Sequence, residues 1–196
     1  MYKDDPTFPV LEIIELDPLT FRSDKPQELM EINPNGKVPT FVHGNIAMFE
    51  SMAILQYMLD EFDFHSFLAP KDSTFRAKFY QFSYYMTSTV DNLTAVSSPI
   101  QRLLDDLRPG DNPDLVTLNK RAFSELVGPI LSQELSDRDY FYGNNFTALD
   151  VVVGYFLSGC LRKRPDYLDK FPNLKKYVQS LQTRGPFQRS MEASPK

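Results

Sequence analysis

A proline at the head of a short apolar run is the feature that most constrains this chain. Asn33-Pro34-Asn35-Gly36-Lys37-Val38-Pro39-Thr40-Phe41 couples a turn to a strand, and Glu50-Ser51-Met52-Ala53-Ile54 follows nine residues later. Pro34, Asn35 and Gly36 are turn formers, and Val38 to Val42 then reads as a strand that begins with a proline, which donates no ladder hydrogen bond. A cis Val38-Pro39 peptide would present the Val38 amide and carbonyl outward, for backbone pairing with a peptide-like ligand. His43-Gly44-Asn45 closes a hairpin, Ile46 to Phe49 returns as a second strand, and Glu50-Ser51 opens a helix. The unpaired N–H groups and dipole of such a helix start suit a carboxylate.

The flanking segments read as follows. Pro9 to Leu16 is expected to be a strand, because Ile13-Ile14 are β-branched, and Asp17-Pro18 ends it. Ser23-Asp24-Lys25-Pro26 offers a cap before a short helix or loop over Glu28–Ile32. After Ser51, the positions Ile54, Tyr57, Met58 and Phe62 follow helical spacing and should face a core. Periodicity breaks over Phe64–Asp72, which reads as a linker between domains spanning residues 1–65 and 72–196.

Beyond the linker the pattern is helical throughout. Ser73 or Thr74 should cap a long helix whose buried stripe is Phe75, Phe79, Phe82, Met86, Val90 and Leu93, with Pro99 kinking its second half. Asn112 and Pro113 start another helix, with Leu115, Leu118, Ala122, Leu126 and Ile130 on its inward face and Gly128-Pro129 bending it. Tyr140–Asn145 is a turn. Thr147 and Asp150 then form a Ser/Thr-x-x-acid capping box at a helix so apolar that it is expected to be buried on all sides, and Phe146 and Val151 form the accompanying staple.

Composition narrows the partners. With 42% hydrophobic residues, 13% aromatic, a net charge of −5 and a pI near 5.1, the chain can build a core and lacks the basic footprint that nucleic acid or an anionic membrane requires. The single cysteine, Cys160, lies within the apolar helix and reads as a packed, inert thiol. His43 and His65 are too isolated for a metal site or a Ser-His-Asp triad. No leader or long apolar span stands at the N-terminus, which reads as cytoplasmic.

The run Asn33–Phe41 with Glu50-Ser51 and Ala53-Ile54 resembles the glutathione-binding half of the cytosolic glutathione transferases. Phe146–Asp150 resembles the same family's helix-capping box, and Phe171-Pro172-Asn173-Leu174 through Arg184-Gly185-Pro186 its C-terminal ending. The resemblance implies an α/β, thioredoxin-like N-terminal lobe followed by an all-helical C-terminal lobe. It also implies a glutathione site in which Val38 and Pro39 carry the backbone pairing, Lys37 reaches the glycyl carboxylate, and Glu50 and Ser51 hold the γ-glutamyl group. Lys25 could assist Lys37, and Asp91 could reach a γ-glutamyl group across the interface of a homodimer. Tyr80, Tyr84, Tyr85 and Met86 are candidate walls for an apolar electrophile, or equally core residues. The family's first strand and helix, which carry its catalytic residue, have no counterpart ahead of Pro9, so the α/β lobe is expected to be incomplete and no catalytic residue is assigned. Tyr2 and Thr7 are the hydroxyls nearest that position. The expected activity is conjugation of the glutathione thiol to apolar electrophiles, with a non-catalytic binding or regulatory protein as the alternative.

Overall fold

The computed structural model describes residues 12–16, 25–63, 66, 68–94 and 115–192. It divides into two compact units, Met1–Ser66 and Phe67–Lys196. The expected features at Tyr2, Thr7, Ser23, His65, Pro99, Asn112 and Pro113 lie outside the described residues.

In the first unit, α1 (Gln27–Ile32) follows Pro26 and buries Leu29. Strands β1 (Thr40–His43) and β2 (Ile46–Phe49) pair antiparallel, with Thr40 opposite Phe49 and His43 opposite Ile46. The ladder starts one residue after Pro39, as the missing proline N–H requires. Gly44, at φ +57°, supplies the left-handed residue of the tight hairpin turn. Helix α2 (Ser51–Phe62) buries Ile54, Leu59 and Phe62, while Tyr57 and Met58 are half-buried. Phe41 and His43 project from β1 toward α2, where both rings meet Tyr57 and His43 also lies edge-on to Phe62. The strand expected over Pro9–Leu16 does not form across its described part, Glu12–Leu16, where Ile14 is 79% exposed. β-branched residues favour a pleated, half-buried surface but cannot hold a strand without a ladder partner.

The second unit is helical. Helix α3 (Ser73–Tyr84) is capped by Asp72 rather than Ser73 or Thr74, since its carboxylate accepts from the Phe75 amide at 2.8 Å and from the Tyr142 hydroxyl at 2.7 Å. A π-helical segment over Tyr85–Val90 leads into α4 (Asp91–Thr94). Phe75, Phe79, Phe82, Met86 and Val90 are buried as expected, but the stripe ends on Thr94 instead of Leu93. A π turn spends one more residue than an α turn, so four-residue steps stay on one face.

The same device explains a larger departure. Helix α5 (Leu115–Ala122), a π-helical segment over Phe123–Val127 and α6 (Gly128–Leu135) run on continuously, and their core residues are Phe123, Val127, Leu131 and Leu135. The expected inward residues Leu118, Leu126 and Ile130 are exposed. Gly128 is where the Phe171 ring comes so close that a Cβ would lie 2.2 Å from it. Lys78 of α3 donates to Glu134 of α6 at 2.6 Å.

Helix α7 (Ala148–Lys163) is the core of this unit, followed by a 3₁₀ turn (Pro165–Leu168), α8 (Pro172–Gln182) and α9 (Gly185–Glu192). It is not buried on all sides, because Val151 and Tyr155, the latter 85% exposed, share an outward face. The capping box forms, and Asp150 does more than close it. Its carboxylate accepts from the Thr147 amide at 2.9 Å and the Thr147 hydroxyl at 3.2 Å. The Phe141 amide and the Tyr177 hydroxyl, both at 2.9 Å, complete the set. Burial pushes this carboxyl up from its ordinary value, and the converging donors pull it back.

Asp150→Ala is expected to cost about 3 kcal/mol or more, because three buried donors besides the threonine hydroxyl lose their acceptor, whereas Thr147→Ala should cost about 1 kcal/mol. Denaturant melts of the two variants and their double mutant, which should be less than additive, check this. Asp72 gives a pH signature. Its carboxyl is held below the ordinary 3.8, first by the Phe75 amide and then by the Tyr142 hydroxyl. A depressed folded value means that its contribution is complete above the unfolded value and is lost as pH falls through the folded one. The stability difference between the native protein and Asp72→Asn, measured by urea melts, should therefore be largest at neutral pH and shrink below about pH 4.

Candidate functional site

The site rests on how one asparagine shapes a loop. Asn33 is buried, and its side-chain amide donates to the Lys37 carbonyl at 2.9 Å and to the Thr40 hydroxyl at 3.2 Å. Its side-chain oxygen accepts from the Asn35 amide at 3.1 Å, an Asx turn, and its carbonyl accepts from the Gly36 amide at 2.8 Å. The Thr40 hydroxyl donates to the same Lys37 carbonyl at 3.0 Å. Gly36 sits at φ +55°, and a Cβ there would meet Lys25 Cδ at 2.5 Å and Met30 Sδ at 2.6 Å. Lys25 donates to the Asn35 carbonyl at 3.1 Å, so it clamps the turn from outside.

This loop delivers Lys37, Val38 and Pro39 to the open end of the hairpin. The Val38-Pro39 peptide is cis, and all three residues are exposed. Because Thr40 faces Phe49, the next residues outward are Pro39 on one strand and Glu50 on the other, and antiparallel partners stand about 4.5–5.5 Å apart at Cα. Register therefore brings Val38-Pro39 and Glu50-Ser51 to one edge. Glu50 adopts φ +74°, ψ +109°, a left-handed conformation that costs a residue with a Cβ about 1–3 kcal/mol. Its carbonyl accepts the first bond of α2, from Ile54 at 3.0 Å, and its side chain makes no cap. The first amides of α2 thus face the same edge as the exposed Ser51 side chain.

The pair His43 Nδ1 and Tyr57 Oη, 2.7 Å apart, lies at the other end of the hairpin, about 13 Å along the strand from Pro39. In the helical unit, Tyr80 and Tyr84 are exposed, and the Tyr80 hydroxyl accepts from Arg76 at 2.5 Å. Tyr85 is half-buried, which pushes its hydroxyl up. Met86 belongs to the core, as its place in the buried stripe implies. Asp91 is exposed on α4. Cys160 is buried as expected, and burial pushes its thiol up to about 12. Among the described residues no cluster of His, Cys, Asp and Glu could hold a metal ion, and no helix is long and apolar enough to cross a membrane.

Sequence reasoning gave Asn33 no role of its own. Its signal was its place directly before Pro-Asn-Gly, where a short amide side chain can bond the backbone two residues on.

Comparison with known proteins places this geometry. Residues 11–60 match the N-terminal domain of glutathione S-transferase and residues 121–186 match its C-terminal domain. A probable glutathione S-transferase of Nicotiana tabacum is 30% identical over 163 residues, covering 80% of this chain and 67% of its own. Glutathione S-transferase D6 of Drosophila melanogaster is 29% identical over 155 residues, covering 78% of this chain and 67% of its own. Among solved structures, glutathione transferase F7 of Populus trichocarpa superposes with a TM-score of 0.74 at 19% identity, covering 94% of this chain and 87% of its own. The transferase URE2P6 of Phanerochaete chrysosporium, in complex with oxidized glutathione, gives 0.73 at 22% identity, covering 93% and 83%. The chain belongs to the glutathione S-transferase family, a family of transferases. Its architecture is a thioredoxin-like N-terminal lobe followed by an all-helical C-terminal lobe.

Asn33→Ala should release the Lys37–Thr40 backbone. Hydrogen exchange of the amides from Asn35 to Phe41 is expected to rise by about tenfold or more, the equivalent of roughly 1.4 kcal/mol, while α7 and α8 stay protected.

Proposed function

We propose that this protein binds glutathione through Lys37, Val38, Pro39, Glu50 and Ser51 and conjugates its thiol to apolar electrophiles, acting as a cytoplasmic homodimer. The observation that carries the reading is the convergence of the Val38-Pro39 edge with the left-handed Glu50 at the start of α2. Each residue then has a task set by its chemistry. The exposed Val38 backbone offers a donor and an acceptor to the cysteinyl unit of the tripeptide. The Ser51 hydroxyl and the first amides of α2 take the γ-glutamyl carboxylate, where the helix dipole favours negative charge. Glu50 takes the α-ammonium as a charge-assisted hydrogen bond, and Lys37 takes the glycyl carboxylate.

In the reaction, the glutathione thiol loses its proton and the thiolate sulfur forms a bond to an electrophilic carbon. The protein's part is to favour the thiolate by a donor near the sulfur and to hold it against the electrophile. The residues named above bind and orient the tripeptide.

Titration calorimetry with glutathione and a steady-state conjugation assay with an aromatic electrophile test the two parts separately. Glu50→Ala and Ser51→Ala should each weaken binding by about tenfold, since each removes one charge-assisted contact. Absence of any glutathione heat would overturn the reading. Binding without conjugation would make the protein a glutathione-binding member that does no transfer.

A further inference from the structure

We propose that Met30 is an oxidation site controlling the loop of Lys37, Val38 and Pro39: a peroxide converts its thioether to the sulfoxide, whose oxygen takes the Lys25 ammonium from the Asn35 carbonyl. The loop's response needs no ligand, and its consequence for binding rests on the glutathione site proposed above.

Met30 and Lys25 meet over Gly36. This glycine is buried at φ +55°, and the point where its Cβ would stand lies 2.6 Å from Met30 Sδ, 2.5 Å from Lys25 Cδ and 2.8 Å from Lys25 Nζ. The sulfur of α1 and the ammonium that clamps the turn are therefore neighbours. Lys25 Nζ donates to the Asn35 carbonyl at 3.1 Å, and a thioether, being a weak acceptor, does not compete for it. The Gly36 amide donates to the Asn33 carbonyl at 2.8 Å, and the Asn33 side chain holds the Lys37 carbonyl at 2.9 Å. A displaced turn is thus passed on to Lys37 and Val38.

Oxidation reverses the competition. Two electrons leave Met30 Sδ, one peroxide oxygen bonds to it, and the other departs as water or an alcohol. The product is polar, and its oxygen is a strong acceptor on a sulfur already beside Lys25. It also needs room on a face of Gly36 where no Cβ fits.

Position selects this sulfur. The single cysteine, Cys160, is buried. Among the described methionines Met86 is buried, Met48, Met52 and Met58 are half-buried, and Met30 and Met191 are exposed at 37% and 43%. Met191 lies on α9 in the helical unit and serves as an internal control.

Limited treatment of the full chain with hydrogen peroxide, read by peptide mass spectrometry and hydrogen exchange, is the test. Met30 should be oxidised in step with Met191, and exchange of the amides from Asn35 to Val38 should rise by about threefold or more while α7 and α8 stay protected. Met30→Leu should abolish the rise without sparing Met191, and methionine sulfoxide reductase should reverse it in the native chain. Met30→Gln, which puts a carbonyl oxygen near the same place, should raise exchange without peroxide. Lys25→Ala should raise it alone and leave oxidation little to add. Calorimetry should show weaker glutathione binding after oxidation of the native protein but not of Met30→Leu. Oxidised Met30 with unchanged exchange, or a rise that persists in Met30→Leu, overturns the proposal. A native protein that gives no glutathione heat overturns the site proposed above and leaves hydrogen exchange to decide the role of Met30.

Discussion

The carboxylate of Asp150 is the point on which the helical unit depends. It lies 1% exposed and gathers donors from three places in the chain: the Phe141 amide, the Thr147 amide and hydroxyl, and the Tyr177 hydroxyl. These fix, in turn, the loop before α7, the first turn of α7 and the packing of α8. A buried carboxylate is tolerable only when its lone pairs are filled, and here they are filled by groups that would otherwise be orphaned. Tyr177 also meets Phe141 edge-on, so the polar knot sits inside an aromatic one.

Asn33 plays the corresponding part in the first unit at smaller scale. It is equally buried, and it holds a loop of eight residues through one amide side chain and its own carbonyl. The candidate edge is therefore exposed while the residue that shapes it is not. Separating the two lets the edge present backbone and charge to solvent without losing its form.

Much of this was legible in the sequence, because the signals were local. The turn before Pro39, the helix start at Ser51 and the Thr147–Asp150 box each span a few residues, and each formed. What was not legible depended on partners or on counting. Glu12–Leu16 has strand propensity but lacks a ladder. Asp72, Ser73 and Thr74 are all good caps, and only the loop that brings Tyr142 alongside distinguishes the aspartate. The inward face of α5 and α6 was misread by one residue, since two apolar stripes lie side by side and the π-helical segment shifts which of them meets the core. Val151 and Tyr155 are apolar enough to pass for core, and hydrophobicity alone does not say how many sides of a helix will be covered.

The state of Cys160 has a consequence for redox chemistry. It is the chain's single cysteine, and a thiol raised to about 12 is ionised at neutral pH to only about one part in a hundred thousand. Mixed disulfides form by thiolate attack, so this polypeptide exchanges with a surrounding thiol pool extremely slowly.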